Sequence, residues 1–257
     1  MRKLLLYCFN LYIISVVLFS CATPVQYIKH PSSLAIDSTL TDKQDVSQLI
    51  APYKTTLDAE MNEVLVISAE EFPKERGKPE TKLGNLVADL CYHHTSAKLY
   101  NNKVIDKPDF CLLNFGGLRT SLPKGNITRG KIFELMPFEN ELVLVTISDL
   151  KMVDLMNYLR KTNGQPVAAI SIHFMNQEDV RFSCHYKGAG RDTTYTVLTS
   201  DYLANGGDNM NFFSNPIKIQ YTGVKIRDAI IDYCIEQDKQ GKQLTGKLDG
   251  RIVFEKQ

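Results

Sequence analysis

The sequence is poor in the side chains from which metal and redox centres are built. Its five histidines, His30, His93, His94, His173 and His185, are scattered among unrelated segments. Cysteine occurs singly and never as C-x-x-C, which argues against a zinc ribbon or a dithiol redox site. No Ser/His/Asp or Cys/His arrangement takes their place. Charge of one sign is also missing. The 30 lysines and arginines are balanced by 29 acids mixed along the chain, so nucleic acid, which would want a basic stripe, is not expected as a partner. There are no internal repeats, and no second domain is visible.

Long apolar runs are absent except at the start. Arg2 and Lys3 precede an apolar stretch from Leu4 to Phe19, broken only by Asn10 and Ser15 and ending at Ser20-Cys21-Ala22. A positive n-region and a short apolar core read as a signal peptide over residues 1–20, too short and too early for a membrane span. Leu18-Phe19-Ser20-Cys21 looks like a bacterial lipobox, although Phe19 is bulkier than usual there. It implies a lipid on Cys21 and an exported, membrane-anchored body; an uncleaved anchor helix would give the same topology. Residues 21–41 are polar, with Pro24 and Pro31, and read as a tether. Residues 42–257 remain as one domain, large enough to bury its own core without staples. Cys91, Cys111, Cys184 and Cys234 sit in core-like positions and are expected to be small buried thiols rather than bridges.

Within that domain, Val46, Leu49, Ile50, Tyr53 and Leu57 follow helical spacing, and a short strand is expected at Val64 to Ile67. A charged loop, Pro73 to Pro79, leads to a helix opened by Glu80-Thr81. Its inner face is Leu83, Leu86, Val87, Leu90 and Cys91, with Gly84 allowing close packing and His93-His94 at its end. A helix over Asp149 to Arg160 is stopped by Gly164. Strands are expected at Val167 to Phe174, Val180 to Tyr186, Thr193 to Thr199 and Ile252 to Phe254. A last helix has Ile226, Ala229, Ile230, Tyr233 and Cys234 inward. The fold class is α+β, a single domain with a mixed β-sheet packed with helices.

Two Gly-Gly loops carry the candidate chemistry. The buried run Phe110 to Leu113 ends in Asn114, Gly116 and Gly117, whose glycines would let the backbone turn sharply and approach a ligand. Arg119 offers a planar charged fork for phosphate or ribose oxygens. Pro137-Phe138 exposes an aromatic at a turn before a second apolar run, Leu142 to Ile147. The strand ending at Thr199 runs into Asp201 to Asp208, with Tyr202, Gly206 and Gly207. Phe138 and Tyr202 could stack on the two faces of a base, and Asp208 could accept hydrogen bonds from a ribose diol.

The order of these parts carries a resemblance. N-F-G-G-L-R (114–119), G-N-I-T-x-G-x-I-F (125–133) and M-P-F-E-N (136–140) stand between E-T-K-L-G-N-L-V-A-D-L (80–90) and Y-T-V-L-T-S-D-Y-L-A-N-G-G-D-N-M (195–210), with D-G-R-I-V-F (249–254) at the end. From Val46 to Phe254 the chain resembles the C-terminal, substrate-binding domain of the 5'-nucleotidase and UDP-sugar hydrolase metallophosphatases. The resemblance implies that Phe138 and Tyr202 sandwich a base, with Tyr202 in place of the more usual Phe. It further implies that Asp208 holds the ribose, that Asn114 and Arg119 contact the nucleotide, and that Gly116, Gly117 and Gly207 belong to the binding loops. Related enzymes hold phosphate with an arginine just before E-x-x-x-G-N; Arg76 and Lys78 are the candidates here, with Gly77 and Pro79 interrupting the usual spacing.

The same resemblance implies an absence. In that family hydrolysis needs two metals on a separate N-terminal domain with D-x-H and G-N-H-[DE] motifs, and this sequence has neither. No catalytic residue, metal site or cofactor is therefore expected in this chain. The implied function is the substrate-specificity half of a split 5'-nucleotidase. It would bind a nucleoside or nucleoside monophosphate, while a separately encoded metallophosphatase supplies divalent metals. The alternative is a free-standing nucleotide- or nucleoside-binding lipoprotein.

Overall fold

The structure, a computed structural model, describes Leu5 and residues 36–101, 107–176, 179–185 and 193–255. Apart from Leu5, the expected signal peptide lies outside the described residues, as do Cys21 and most of the tether. The chain divides into two compact units, Met1–Leu49 and Ile50–Gln257. The first helix, α1, runs Gln44–Met61, as the spacing of its apolar residues predicts. None of its residues is buried, and Tyr53 is 76% exposed. A 3.6-residue period specifies a helix; whether its apolar stripe is covered is a separate matter. Among the described residues no helix is long and apolar enough to cross a membrane.

In the second unit the elements follow in the order β1 (Val64–Ser68), α2 (Lys82–Asn101), β2 (Phe110–Leu112), β3 (Gly125–Thr128), α3 (Arg129–Leu135), β4 (Glu141–Ser148), α4 (Asp149–Lys161), β5 (Val167–Ala168), β6 (Ile170–Phe174), β7 (Val180–Cys184), β8 (Thr194–Ser200), α5 (Asp201–Ala204), β9 (Lys218–Lys225), α6 (Ile226–Lys239) and β10 (Ile252–Phe254). Five strands form the central sheet in the order β5-β2-β8-β4-β9. β2 and β8 are parallel, and the other pairs are antiparallel. Two smaller sheets, β1-β3 and β10-β6-β7, flank it. The architecture is the expected α+β fold with mixed sheets.

Strand alternation explains the layering. On β4, Leu142 and Leu144 enter one core with Leu83, Val87 and Cys91 of α2 and Ala229 and Ile230 of α6. Val143, Val145 and Ile147 enter the other, with Met152, Leu155 and Leu159 of α4 and Phe212 and Phe213. The two-residue period of a strand sends neighbours to opposite faces, so this sheet is covered on both sides. Cys91, Cys111 and Cys234 are buried free thiols, and burial pushes the Cys234 thiol up to about 12; Cys184 is half-buried.

Three details differ from the sequence expectations. His93 and His94 do not end α2, because its buried face continues through Thr95 to Leu99 and no Gly or Pro intervenes. His94 instead faces α6, with Nε2 3.7 Å from an Asp232 carboxylate oxygen. The expected strand Val167 to Phe174 is two strands in different sheets, because Ala169 takes a left-handed conformation with φ 62° between them. β9, which completes the central sheet, was not expected.

Asp249-Gly250-Arg251 is structural. Arg251 is 7% exposed and makes a two-pronged pair with Asp89 of α2 at 2.7 and 2.9 Å. It also grips Asp249 at 2.8 Å and donates to the Val167 carbonyl at 2.7 Å, fastening the chain end to α2 and β5.

Candidate functional site

The sheet order brings the two Gly-Gly loops together. β2 and β8 are parallel neighbours, so both C-terminal ends lie at one sheet edge. β4 runs antiparallel to β8, with Leu142 opposite Ser200, so its N-terminal end lies there too. The loops after β2, before β4 and after β8 therefore leave the sheet side by side. They enclose a cavity of about 260 Å³ lined by Asn114, Gly116, Gly117, Arg119, Phe138, Asn140, Tyr202 and Asp208. Seven of the eight side chains or glycines singled out in the sequence line it, and Phe138 and Tyr202 stand 42% and 46% exposed at its mouth.

Asp208 is the hub. It has left-handed backbone angles (φ 51°, ψ 28°), a conformation Asp tolerates better than most residues. Its Oδ1 accepts from the Tyr202 hydroxyl at 3.0 Å, and its Oδ2 accepts from Asn114 Nδ2 at 2.5 Å. Its backbone N–H donates back to the Tyr202 oxygen at 3.2 Å. Its carbonyl accepts from the Tyr158 hydroxyl at 3.1 Å, and burial, then the nearby Asp208 and Tyr202, push the Tyr158 phenol above its ordinary value.

The glycines act by being small. Neither Gly116 nor Gly117 has a positive φ, so neither is needed for a sharp turn. A Cβ on Gly116 would come within 3.0 Å of both Asn114 Nδ2 and Asp208 Oδ2, so its absence makes room for that pair. Gly207, the eighth residue, does not line the cavity. It lies against the Tyr202 ring, where a Cβ would fall 2.4 to 2.6 Å from three ring carbons. The Tyr202 hydroxyl, which the sequence left without a task, is thus committed to the Asp208 loop.

The Phe138 loop is fastened to the junction of β9 and α6. Ile226 N–H donates to the Asn140 carbonyl at 3.0 Å, and Glu139 pairs with Lys225 and Arg227. Arg227 is buried, and its guanidinium sits 4.1 Å from the centroid of Phe133. Arg119 extends over Phe138 at 5.9 Å and donates to the Gly116 carbonyl at 3.3 Å.

A cation beside Arg119 was missed in the sequence. Lys74 Nζ donates to the Arg119 carbonyl at 2.8 Å. Partial burial, then the positive charges of Arg76 and Arg119, lower the pKa of its ammonium group. Neither of the two earlier candidates for an anion contact lines the cavity: Lys78 is paired with Glu75 at 2.5 Å, and the positive charge of Arg76 is felt at Lys74. Asn140 was also missed: it falls inside M-P-F-E-N, but nothing about a lone Asn marks it. Among the described residues no three His, Cys, Asp or Glu side chains converge to hold a metal.

Residues 63–215, which contain the whole cavity, match the family model described as 5'-nucleotidase, C-terminal domain. The chain belongs to the 5'-nucleotidase C-terminal domain family. A trifunctional nucleotide phosphoesterase of Bacillus subtilis is 24% identical over 86% of this chain and 16% of its own length. A 5'-nucleotidase of Vibrio parahaemolyticus is 23% identical over 77% of this chain and 35% of its own. A solved 5'-nucleotidase precursor from Thermus thermophilus superposes with a TM-score of 0.63 and 25% identity over 82% of this chain and 43% of that one. This 5'-nucleotidase C-terminal domain therefore spans less than half the length of each.

Proposed function

We propose that this chain binds the nucleoside part of a nucleotide as the specificity half of a split 5'-nucleotidase. The observation that carries the reading is the convergence of Phe138, Tyr202, Asn114, Arg119 and Asp208 on one cavity. A base lies between the exposed rings of Phe138 and Tyr202, where stacking contributes about 1–3 kcal/mol per base. The ribose diol donates to the remaining lone pairs of Asp208, and Asn140 offers an amide to the base edge. Arg119, with Lys74 and Arg76 beside it, faces the phosphate.

The divalent metals that cleave the phosphate ester come, in this reading, from a separately encoded metallophosphatase that closes over the same nucleotide. Splitting the two parts forfeits the high effective concentration of a single chain. An exported chain with residues 1–20 as a signal peptide, a lipid on Cys21 and residues 21–41 as a tether would recover part of it by holding both partners on one membrane. The test mixes the full chain with metallophosphatases from the same cell and AMP, and follows phosphate release. Stimulation that Asp208→Ala abolishes is expected. No stimulation at any concentration would leave a free-standing nucleoside-binding protein as the better reading.

A further inference from the structure

We propose that β9 is a self-association surface: two copies of this chain pair their β9 strands antiparallel about a two-fold axis at Gln220, joining two central sheets into one.

β9 stands at the end of the central sheet, and among the described residues no strand pairs with its outer side. Which of its backbone groups face outward follows from the ladder. On β8, the Thr196 carbonyl accepts from Asp109 N–H and its N–H donates to Asp109 Oδ2, both at 2.7 Å, so these groups point away from β4. Thr146 lies opposite Thr196 and therefore turns its own groups toward β9, where Lys218 lies opposite it. Backbone direction alternates along a strand, so Lys218 and Gln220 bond to β4 while Ile219 and Tyr221 point N–H and C=O outward. The side chains of these two residues are 40% and 58% exposed. An unpaired edge carrying apolar side chains is a template for another strand.

The flanks fix the register. On one side the Ile217 N–H is spent on the Thr146 carbonyl at 2.8 Å. On the other, the pairing with β4 shifts register between Leu142 and Val143, and the Gly223 N–H is spent on Glu141 Oε1 at 2.7 Å. Ile219 and Tyr221 remain as the outward pair, and a second β9 offers the same two residues at the same spacing. Ile219 of each copy then lies opposite Tyr221 of the partner subunit, and each such pair exchanges both backbone hydrogen bonds while its aliphatic and aromatic side chains pack together. In this register Lys218 lies opposite Thr222 of the partner subunit, so no like charges meet. The contact is isologous and uses up the edge, so assembly stops at two copies.

Sedimentation of the full chain up to about 100 μM, where a low-micromolar Kd is saturated, tests this in the wild type, Ile219→Pro and Tyr221→Lys. Proline at position 219 removes an outward N–H and leaves the bonds to β4 in place. The wild type is expected to be a dimer, and both variants monomers with melting curves near that of the wild type. The register is read by adding the thiol oxidant diamide. Gln220→Cys should give a covalent dimer, because position 220 meets itself on the axis with Cβ atoms about 4.5–5.5 Å apart, and Lys218→Cys should not. A wild type that stays monomeric, or a dimer that either Ile219→Pro or Tyr221→Lys leaves intact, would overturn the inference. So would Gln220→Cys cross-linking no more readily than Lys218→Cys. Should Ile219→Pro or Tyr221→Lys fail to fold, the wild-type mass and the cross-linking pattern decide.

Discussion

The side-chain amide of Asn114 reaches Oδ2 of Asp208 at 2.5 Å across 94 positions of sequence. This contact ties the loop after β2 to the loop after β8, two loops that parallel strand pairing sends out of the same sheet edge. Asn114→Ala is expected to weaken nucleoside binding, because Asp208 is then no longer held in place, and to move the melting temperature little, since Asp208 is exposed. Parallel titration and melting experiments check both halves; an unstable variant with unchanged affinity would contradict this account of the pair.

Gly207 gives a prediction that separates packing from ligand contact. Gly207→Ala places a methyl group on the Tyr202 ring without demanding an unusual backbone angle. It should weaken nucleoside binding by about 1–3 kcal/mol, as Tyr202→Ala does. Gly207→Ala should add little in a Tyr202→Ala background, because the ring it displaces is gone. A double-mutant cycle measures this coupling, and additive losses would mean that Gly207 acts on the ligand directly.

Much of the site was legible because its residues have distinct chemistry in a recognisable order: an aromatic after Pro137, a fork at Arg119, and a carboxylate among glycines at Asp208. What escaped was set by tertiary approach. Lys74 meets Arg119 across 45 positions, and Tyr158 meets Asp208 across 50, with no local pattern to announce either. The Tyr202 hydroxyl looked incidental because its partner arises from a left-handed turn at Asp208. In the fold, amphipathic spacing located α2, α4 and α6. The break at Ala169 was invisible, because alanine carries no signal for positive φ.

That break makes its own prediction. A left-handed conformation costs an L-residue about 1–2 kcal/mol, and glycine avoids that cost while losing more backbone entropy. Ala169→Gly is expected to leave stability unchanged or raise it by up to about 1 kcal/mol. Ala169→Val should lower it by more, since β-branching worsens the strain. Chemical denaturation of the two variants checks the sign, and a stabilising valine would contradict the assigned conformation.

Asp249 predicts an acid-side loss of stability. Its hydrogen bonds from Arg251 outweigh partial burial, and with the Arg251 and Lys247 charges they hold its carboxyl below the ordinary value. A carboxyl with a lowered folded-state pKa contributes stability above its unfolded value, about 3.9, and loses it as pH falls through the folded value. The gap in melting temperature between wild type and Asp249→Asn should be full at neutral pH and shrink below about pH 4. A gap that stays constant down to pH 2 would show that Asp249 contributes by packing alone.

The central claim is that a nucleoside occupies the cavity between Phe138 and Tyr202. Its most direct test is calorimetric titration of the full chain with nucleosides and nucleoside monophosphates, repeated with Phe138→Ala and Asp208→Ala. The account predicts saturable one-to-one binding by the wild type. Affinity should fall by about 1–3 kcal/mol in Phe138→Ala through lost stacking, and by a similar amount in Asp208→Ala through the lost ribose contact, with both variants folded. Binding that neither substitution changes would contradict it, because the nucleoside would then lie elsewhere on the chain.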